Sequence, residues 1–365
     1  MPTRRLIGPE ILPGTREYQW VARVVAAVER RTGLASSWNR RLYEELITGA
    51  TAEENGPMTI NRSVLEPVME VYGELRPPGD WEAFAARSAV LTVVHETDHH
   101  QHRNGDQNAP DAISFGSMEF EPLIEGLAEV NRKRILDDII DDIGLDKLVP
   151  QIHQVRALSH YAGYEAGVEH VLDGLHRISE RPLEEVHAAV DSASFVQRYN
   201  AMADVVIDSR LDGLMPAEHR SQIRLVLAQP LREGLGSLSE YDLIQVVPAV
   251  LAERGHETGA KAVERLEQEV QAVEQHYRRY GDHAPRMPMN TQEVALLQRI
   301  ESYYGRSTAG LEVSRLRELL DDERGARWSR AEGWHTPKQR SWAGAPVSDR
   351  NRALRRPRPP DQAAR

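Results

Sequence analysis

The stretch VVHETDHHQH, residues 93–102, sets four histidines, a glutamate and an aspartate behind two valines. Within it, His95-Glu96-Thr97-Asp98-His99 matches H-E-x-x-H. On a helix, residues i and i+4 share one face, so both imidazoles can reach one ion, and the neighbouring glutamate is placed to take a proton from water. The preceding residues support a helix: Trp81, Phe84 and Ala89-Val90-Leu91 form an apolar stripe. RPPGD (76–80) opens it with Asp80 as the expected cap, and Asn104-Gly105 closes it. The motif therefore starts on a buried face. Two imidazoles and a carboxylate there are costly without a partner, and a divalent cation is the partner their chemistry suits.

The chain has no cysteine, so a transition metal must be held by His, Asp and Glu, and disulfides and thiolate catalysis are excluded. The next helical segment supplies carboxylates. In EPLIEGLAEV (121–130), Glu121, Glu125 and Glu129 recur at i, i+4 and i+8 along one side. Gly126 inside that helix costs about 1 kcal/mol relative to alanine. Such a cost is explained if another backbone or side chain approaches closely there.

H-E-x-x-H followed by E-G-L-A-E resembles the gluzincin branch of zinc metallopeptidases, which includes the zinc aminopeptidases. The resemblance implies that His95, His99 and Glu125 bind Zn2+ and that Glu96 is the general base. It also implies that Glu129 sits behind a ligand histidine and orients it. Glu119 is the weaker candidate for third ligand, closer to the usual spacing but outside the E-G-x-A-E context. HYAGYEAGVEHVL (160–172) is similar to the Y-E-x-G segment of the same enzymes, which casts Tyr164 as the oxyanion donor, with His160 and Tyr161 as fallbacks. The G-x-M-E-N exopeptidase segment is not found upstream of the motif, so the aminopeptidase label does not transfer. The resemblance covers roughly residues 57–190.

The expected fold is mainly α: a zincin-like metallopeptidase core with a small β-sheet beside the active-site helix, plus extra C-terminal helices. Residues 1–50 read as an N-terminal helical segment (helix over 15–50), 51–254 as the catalytic domain, 255–326 as a helical extension and 327–365 as a disordered basic tail. PMTINRSVL (57–65) alternates as a strand; the resemblance implies a sheet edge that takes a substrate strand, and residues 57–63 are the candidate for it. Helices are also expected near 64–75, 121–143, 148–178, 182–208, 216–254, 259–280 and 290–323, the last opened by an Asn290/Glu293 capping box. His100 and His102 fall off the His95/His99 face and are expected in solvent. DDIIDD (137–142) reads as an amphipathic helix end.

A net charge of −11 argues against a nucleic-acid binder. No signal peptide or apolar run long enough for a membrane span is found, so a cytoplasmic protein acting on a peptide or protein is expected. Two other readings use the same residues. One is a zinc-binding helical scaffold, or catalytically idle homologue, that works through a partner. The other is a helical bundle holding metal on His95, His99 and either His153 or His160.

Residues 331–365 carry eight Lys/Arg against three acids, net +5, which leaves −16 for the rest. With so little aliphatic content this segment cannot bury enough surface to order itself. Deleting it is expected to leave the melting temperature and metal content unchanged; a large drop in melting temperature on deletion would show that it docks on the body.

Overall fold

The computed structural model describes residues 7–46, 50–52, 54–73, 78–157, 159–241, 247–281 and 284–305. The segment expected as a basic tail, and the end of the helix expected over 290–323, lie outside the described residues.

Two helices carry apolar residues on every side and are central for that reason. They are α3 (Asp80–Gln101), buried from Ala83 to His100, and α4 (Phe120–Asp142), buried from Phe120 to Ile140. The α3 helix is entered through Gly79 rather than Asp80, whose place is the first turn; the Glu82 carboxylate accepts the Gly79 N–H at 3.0 Å. Around these lie α1 (Arg16–Thr32), α2 (Arg62–Gly73), α5 (Ala162–Ser179), α6 (Leu183–Asp191), α7 (Arg198–Val206), α8 (Arg220–Gly236), α9 (Pro248–Tyr280) and α10 (Thr291–Gly305). Their short sheet has the strands β1 (Ile7–Ile11), β2 (Leu42–Glu45), β3 (Ala50–Ala52) and β4 (Met58–Asn61), in the order β1-β2-β4-β3. The fold is thus mainly helical with a small sheet, and β3 packs against α3.

Apolar residues gather into two cores. One joins α1, the inner strands, α2 and α3 to the C-terminal half of α4 through Leu136, Ile139 and Ile140. The other joins α5 to α9 with the N-terminal half of α4 through Leu123, Ile124 and Leu127. The α4 helix is the element common to both.

Several expectations are corrected by tertiary pairing. The helix expected over 15–50 stops at Thr32, where Gly33 turns left-handed at φ 72° and returns its N–H to Glu29. Leu42–Glu45 is a strand instead, because its main chain pairs with β1 on one side and β4 on the other. For the same reason β4 is not the sheet edge: it is parallel to β2 and antiparallel to β3, so the edges are β1 and β3. The helix expected from residue 148 begins only at Ala162, after a run of turns. The segment 216–254 divides into α8 and the start of α9, with Pro248 in the first turn, and α9 runs unbroken across residue 254. The Asn290 box forms as read, Asn290 Oδ1 accepting from the Glu293 N–H at 3.0 Å and Glu293 Oε2 from the Asn290 N–H at 2.8 Å.

Gly126 has the neighbour its cost implied. A Cβ there would lie 2.8 Å from the Tyr164 carbonyl oxygen and 2.6 Å from Val168 Cγ2, so α5 crosses α4 at close range. This contact brings the first turn of α5 beside the helix carrying Glu125 and Glu129.

His100 and His102 are buried, not solvated, because α3 is packed on every side, with the Phe195 ring 5.9 Å from that of His102. Neither ring nitrogen of His100 has a hydrogen-bond partner. Burial, helped by His99, pushes its pKa down from 6.5 to about 4. The unfolded chain therefore takes up this proton first as pH falls. Stability is complete above pH 6.5 and is lost progressively down to about pH 4, on the order of 3 kcal/mol for such a shift. His100→Leu, which keeps the volume and removes the titration, should make the urea midpoint fall less steeply than wild type between those pH values. Equal slopes would show that His100 is not neutral in the fold.

Candidate metal centre

The α3–α4 crossing places the two motifs face to face. His95 Nε2 lies 3.0 Å from Glu125 Oε2 and 3.0 Å from His99 Nε2, and His99 Nε2 lies 3.5 Å from the same carboxylate oxygen. Among the described residues, this is the group of three whose donor atoms converge as metal ligands would, all within 4.8 Å of one another. In a tetrahedral site with bonds of about 2.0–2.1 Å, neighbouring donors sit roughly 3.3 Å apart. The three separations bracket that spacing.

Two further observations fit an ion. A ring nitrogen carries either one hydrogen or one lone pair, so His95 Nε2 cannot satisfy both neighbours by hydrogen bonding; a cation between three lone pairs can. The charge also calls for one. Glu96, Glu129 and Arg132 are buried and Glu125 is mostly so. Three carboxylates gather round one guanidinium and two imidazoles, and a divalent cation is a partner that suits such a buried, acid-rich cluster. Burial opposes ionisation of Glu125, but the two histidines outweigh it and hold its carboxyl well below the usual range. Glu96, beside the group but outside it, is pushed up by burial, with His95 and His99 acting against the shift. The residues present can hold a metal ion.

Behind His95 lies Glu129, wholly buried, its Oε1 3.2 Å from His95 Nδ1 at ion-pair distance but short of hydrogen-bond alignment. Its Oε2 accepts the Ser159 hydroxyl at 2.6 Å and pairs with Arg132. The face of His95 is covered by Tyr161, stacked at 6.0 Å between ring centres, and Tyr164 stacks in turn on Tyr161 at 5.6 Å. Of the two phenols, the ring against a ligand is that of Tyr161; the Tyr164 ring is buried next to it. A small cleft lined by His160, Tyr161, Gly163, Tyr164, Leu238 and Leu251 lies beside them.

On the far side, Phe195 stands 6.1 Å from His99 and 5.9 Å from His102, with the Arg198 guanidinium 4.8 Å from its ring centre. Main-chain bonds from Phe195 to Arg103 (2.9 Å) and from Val196 to Asn104 (3.3 Å) tie this wall to the end of α3. Asp98 accepts from Asn131 Nδ2 at 3.2 Å and lies 3.5 Å from His102 Nε2.

The other candidate ligands lie elsewhere. Glu119 pairs with Arg232 at the entry to α4. His153 bridges Asp137 (3.2 Å) and Asp141 (2.9 Å), and the acids of 137–142 are engaged by Arg31, Arg87 and His153 around buried Ile139 and Ile140. His160 sits on the pocket wall outside the converging group. Arg132, Ser159 and Phe195 were not singled out from sequence. Arg132 had a signal, its i+3 spacing from Glu129; the other two reach the site only through the fold.

Protein purified without chelator is expected to carry about one divalent ion per chain, lost in His95→Ala, His99→Ala and Glu125→Ala and kept in Glu119→Ala. Elemental analysis decides this, and full retention in Glu125→Ala would remove that residue from the ligand set.

No helix among the described residues is long and apolar enough to cross a membrane. No family model, curated protein or solved structure matches the chain, so the site is read from its own geometry and chemistry.

Proposed function

We propose that this chain is a zinc-dependent peptide-bond hydrolase of gluzincin type, with a zincin-like core formed by α3, α4 and the adjoining sheet. Two imidazoles and one carboxylate on a buried face are the donor set of a catalytic zinc site, which keeps a further position open. When bound by His95, His99 and Glu125, such an ion supplies Lewis-acid polarisation and lowers the pKa of water.

The observation that carries the reading is Glu96. It is a buried carboxylate next to a ligand, within electrostatic reach of both histidines and Glu125, yet absent from the converging group. A carboxylate of raised pKa suits general-base work: it takes a proton from the attacking water, whose oxygen joins the scissile carbonyl carbon. As the C–N bond breaks, the same carboxyl hands that proton to the departing amine nitrogen. The phenol stack supplies a hydrogen-bond donor for the charge that develops on the carbonyl oxygen. Tyr161, whose ring covers His95, is the nearer candidate, with Tyr164 behind it. The edge strand β3, rather than β4, is placed beside α3 to pair with an extended peptide.

Glu96→Gln keeps the side chain's shape and removes its basicity. It should retain the ion and lose roughly 10²–10⁴-fold in peptide hydrolysis. Tyr161→Phe should lower turnover by roughly 10²–10³ with substrate affinity nearly kept, and Tyr164→Phe should have the smaller effect. Reversal of that order would return the oxyanion role to Tyr164. A wild-type protein that holds its ion and cleaves nothing in a broad peptide library would point to a scaffold.

A further inference from the structure

Glu129 is the point at which the two sides of the site meet. One oxygen, Oε1, faces Nδ1 of His95 at 3.2 Å, behind the ligand atom Nε2. The other, Oε2, accepts the Ser159 hydroxyl at 2.6 Å and pairs with Arg132. The carboxylate is 0% exposed and Arg132 is 3% exposed, so water does not compete strongly for these partners.

Ser159 belongs to the run of turns between α4 and α5, two residues before Tyr161. The upstream end of that run is held independently of the site: Gln151 Nε2 donates to the Pro78 carbonyl at 2.5 Å, Arg87 donates to the Ile152 carbonyl at 3.3 Å, and His153 reaches Asp137 and Asp141. At the downstream end, Ser159 ties the chain directly to the carboxylate that backs the ligand. One buried group therefore touches His95 from behind and also fixes the segment that lays a phenol across its face.

We propose that Ser159 and Arg132 are positioning residues that couple occupancy of the metal centre to the placement of Tyr161, through opposite oxygens of Glu129. Charge on an ion at Nε2 polarises the Nδ1–H of His95 and strengthens its attraction to Glu129 Oε1. That fixes the carboxylate, and with it the acceptor held by Ser159. Coupling of this kind is reciprocal, so holding the 159–161 segment also favours the ion. Arg132 compensates the buried charge and occupies Oε2 from the α4 side, which leaves Oε1 for the histidine. The consequence for turnover rests on the peptidase reading above; the coupling itself rests on the metal centre alone.

The test uses the full chain stripped of metal, with Co2+ as the probe and amide hydrogen exchange as the second readout. In wild type, Co2+ should slow exchange at residues 159–164 by about tenfold or more while leaving the interior of α9 unchanged. Ser159→Ala should bind Co2+ within about threefold of wild type and keep its visible spectrum, yet lose most of that added protection. Ser159→Thr, which keeps the hydroxyl, should restore it. Arg132→Met should weaken Co2+ roughly 10–100-fold; if it does not fold, Arg132→Lys, which keeps the charge but not the forked geometry, should move affinity the same way. Where peptide cleavage is measurable, Ser159→Ala should lower kcat with KM little changed. Co2+-dependent protection that is absent in wild type, or undiminished in Ser159→Ala, overturns the proposal. Failure to find a peptide substrate removes the peptidase reading and leaves the exchange result to decide the coupling.

Discussion

Burying Glu96, Glu125, Glu129 and Arg132 with two imidazoles where α3 crosses α4 is the constraint to which the surrounding structure answers. Ions taken out of water cost several kcal/mol each unless the geometry returns that energy. Here the return comes from close pairing, from the Ser159 hydroxyl, and from a donor triangle whose spacing suits a divalent cation. Within the cluster, His95 Nε2 is shared between two neighbours it cannot both satisfy by hydrogen bonding. A cation held by this group would belong to the fold's electrostatics as well as to its chemistry.

The position of that crossing follows from packing. The α4 helix contributes one half to each apolar core, so its middle turns, with Glu125 and Glu129, lie at the junction. Both ligand-bearing segments are long helices locked by apolar neighbours, which suits groups that must hold a geometry to fractions of an ångström. The phenol side is built differently. Tyr161 ends a run of turns and is set by Ser159 below and by the close crossing at Gly126 beside it. The helical frame of the converging group therefore faces a segment of turns, and one tie between the two is made through a carboxylate that belongs to the frame.

The parts of the site legible in the sequence were those encoded by helical spacing. The i, i+4 relation of His95 and His99, the i, i+4 relation of Glu125 and Glu129, and the unexplained glycine between the latter each express geometry that a helix imposes locally. Residues joined across long separations left no such trace. Leu42–Glu45 has spacing compatible with a helix and becomes a strand through partners more than a dozen residues away on either side. His100 and His102 face away from the His95/His99 pair, which on a surface helix means solvent; on a helix buried all round every face is interior.

What the sequence determined by itself is therefore the helical class of the chain and a set of donors on two helices, because backbone periodicity translates residue spacing directly into a shared face. The tertiary structure brings Glu125 to the Nε2 atoms of both histidines, while Glu119, before the first turn of α4, turns to Arg232 and Glu129 lies behind His95. It likewise decided that Ser159 and Arg132 close on Glu129, that Tyr161 covers His95, and that β3 is the edge beside α3. These are distances between segments remote in the chain, and they are set by how two apolar cores share one helix.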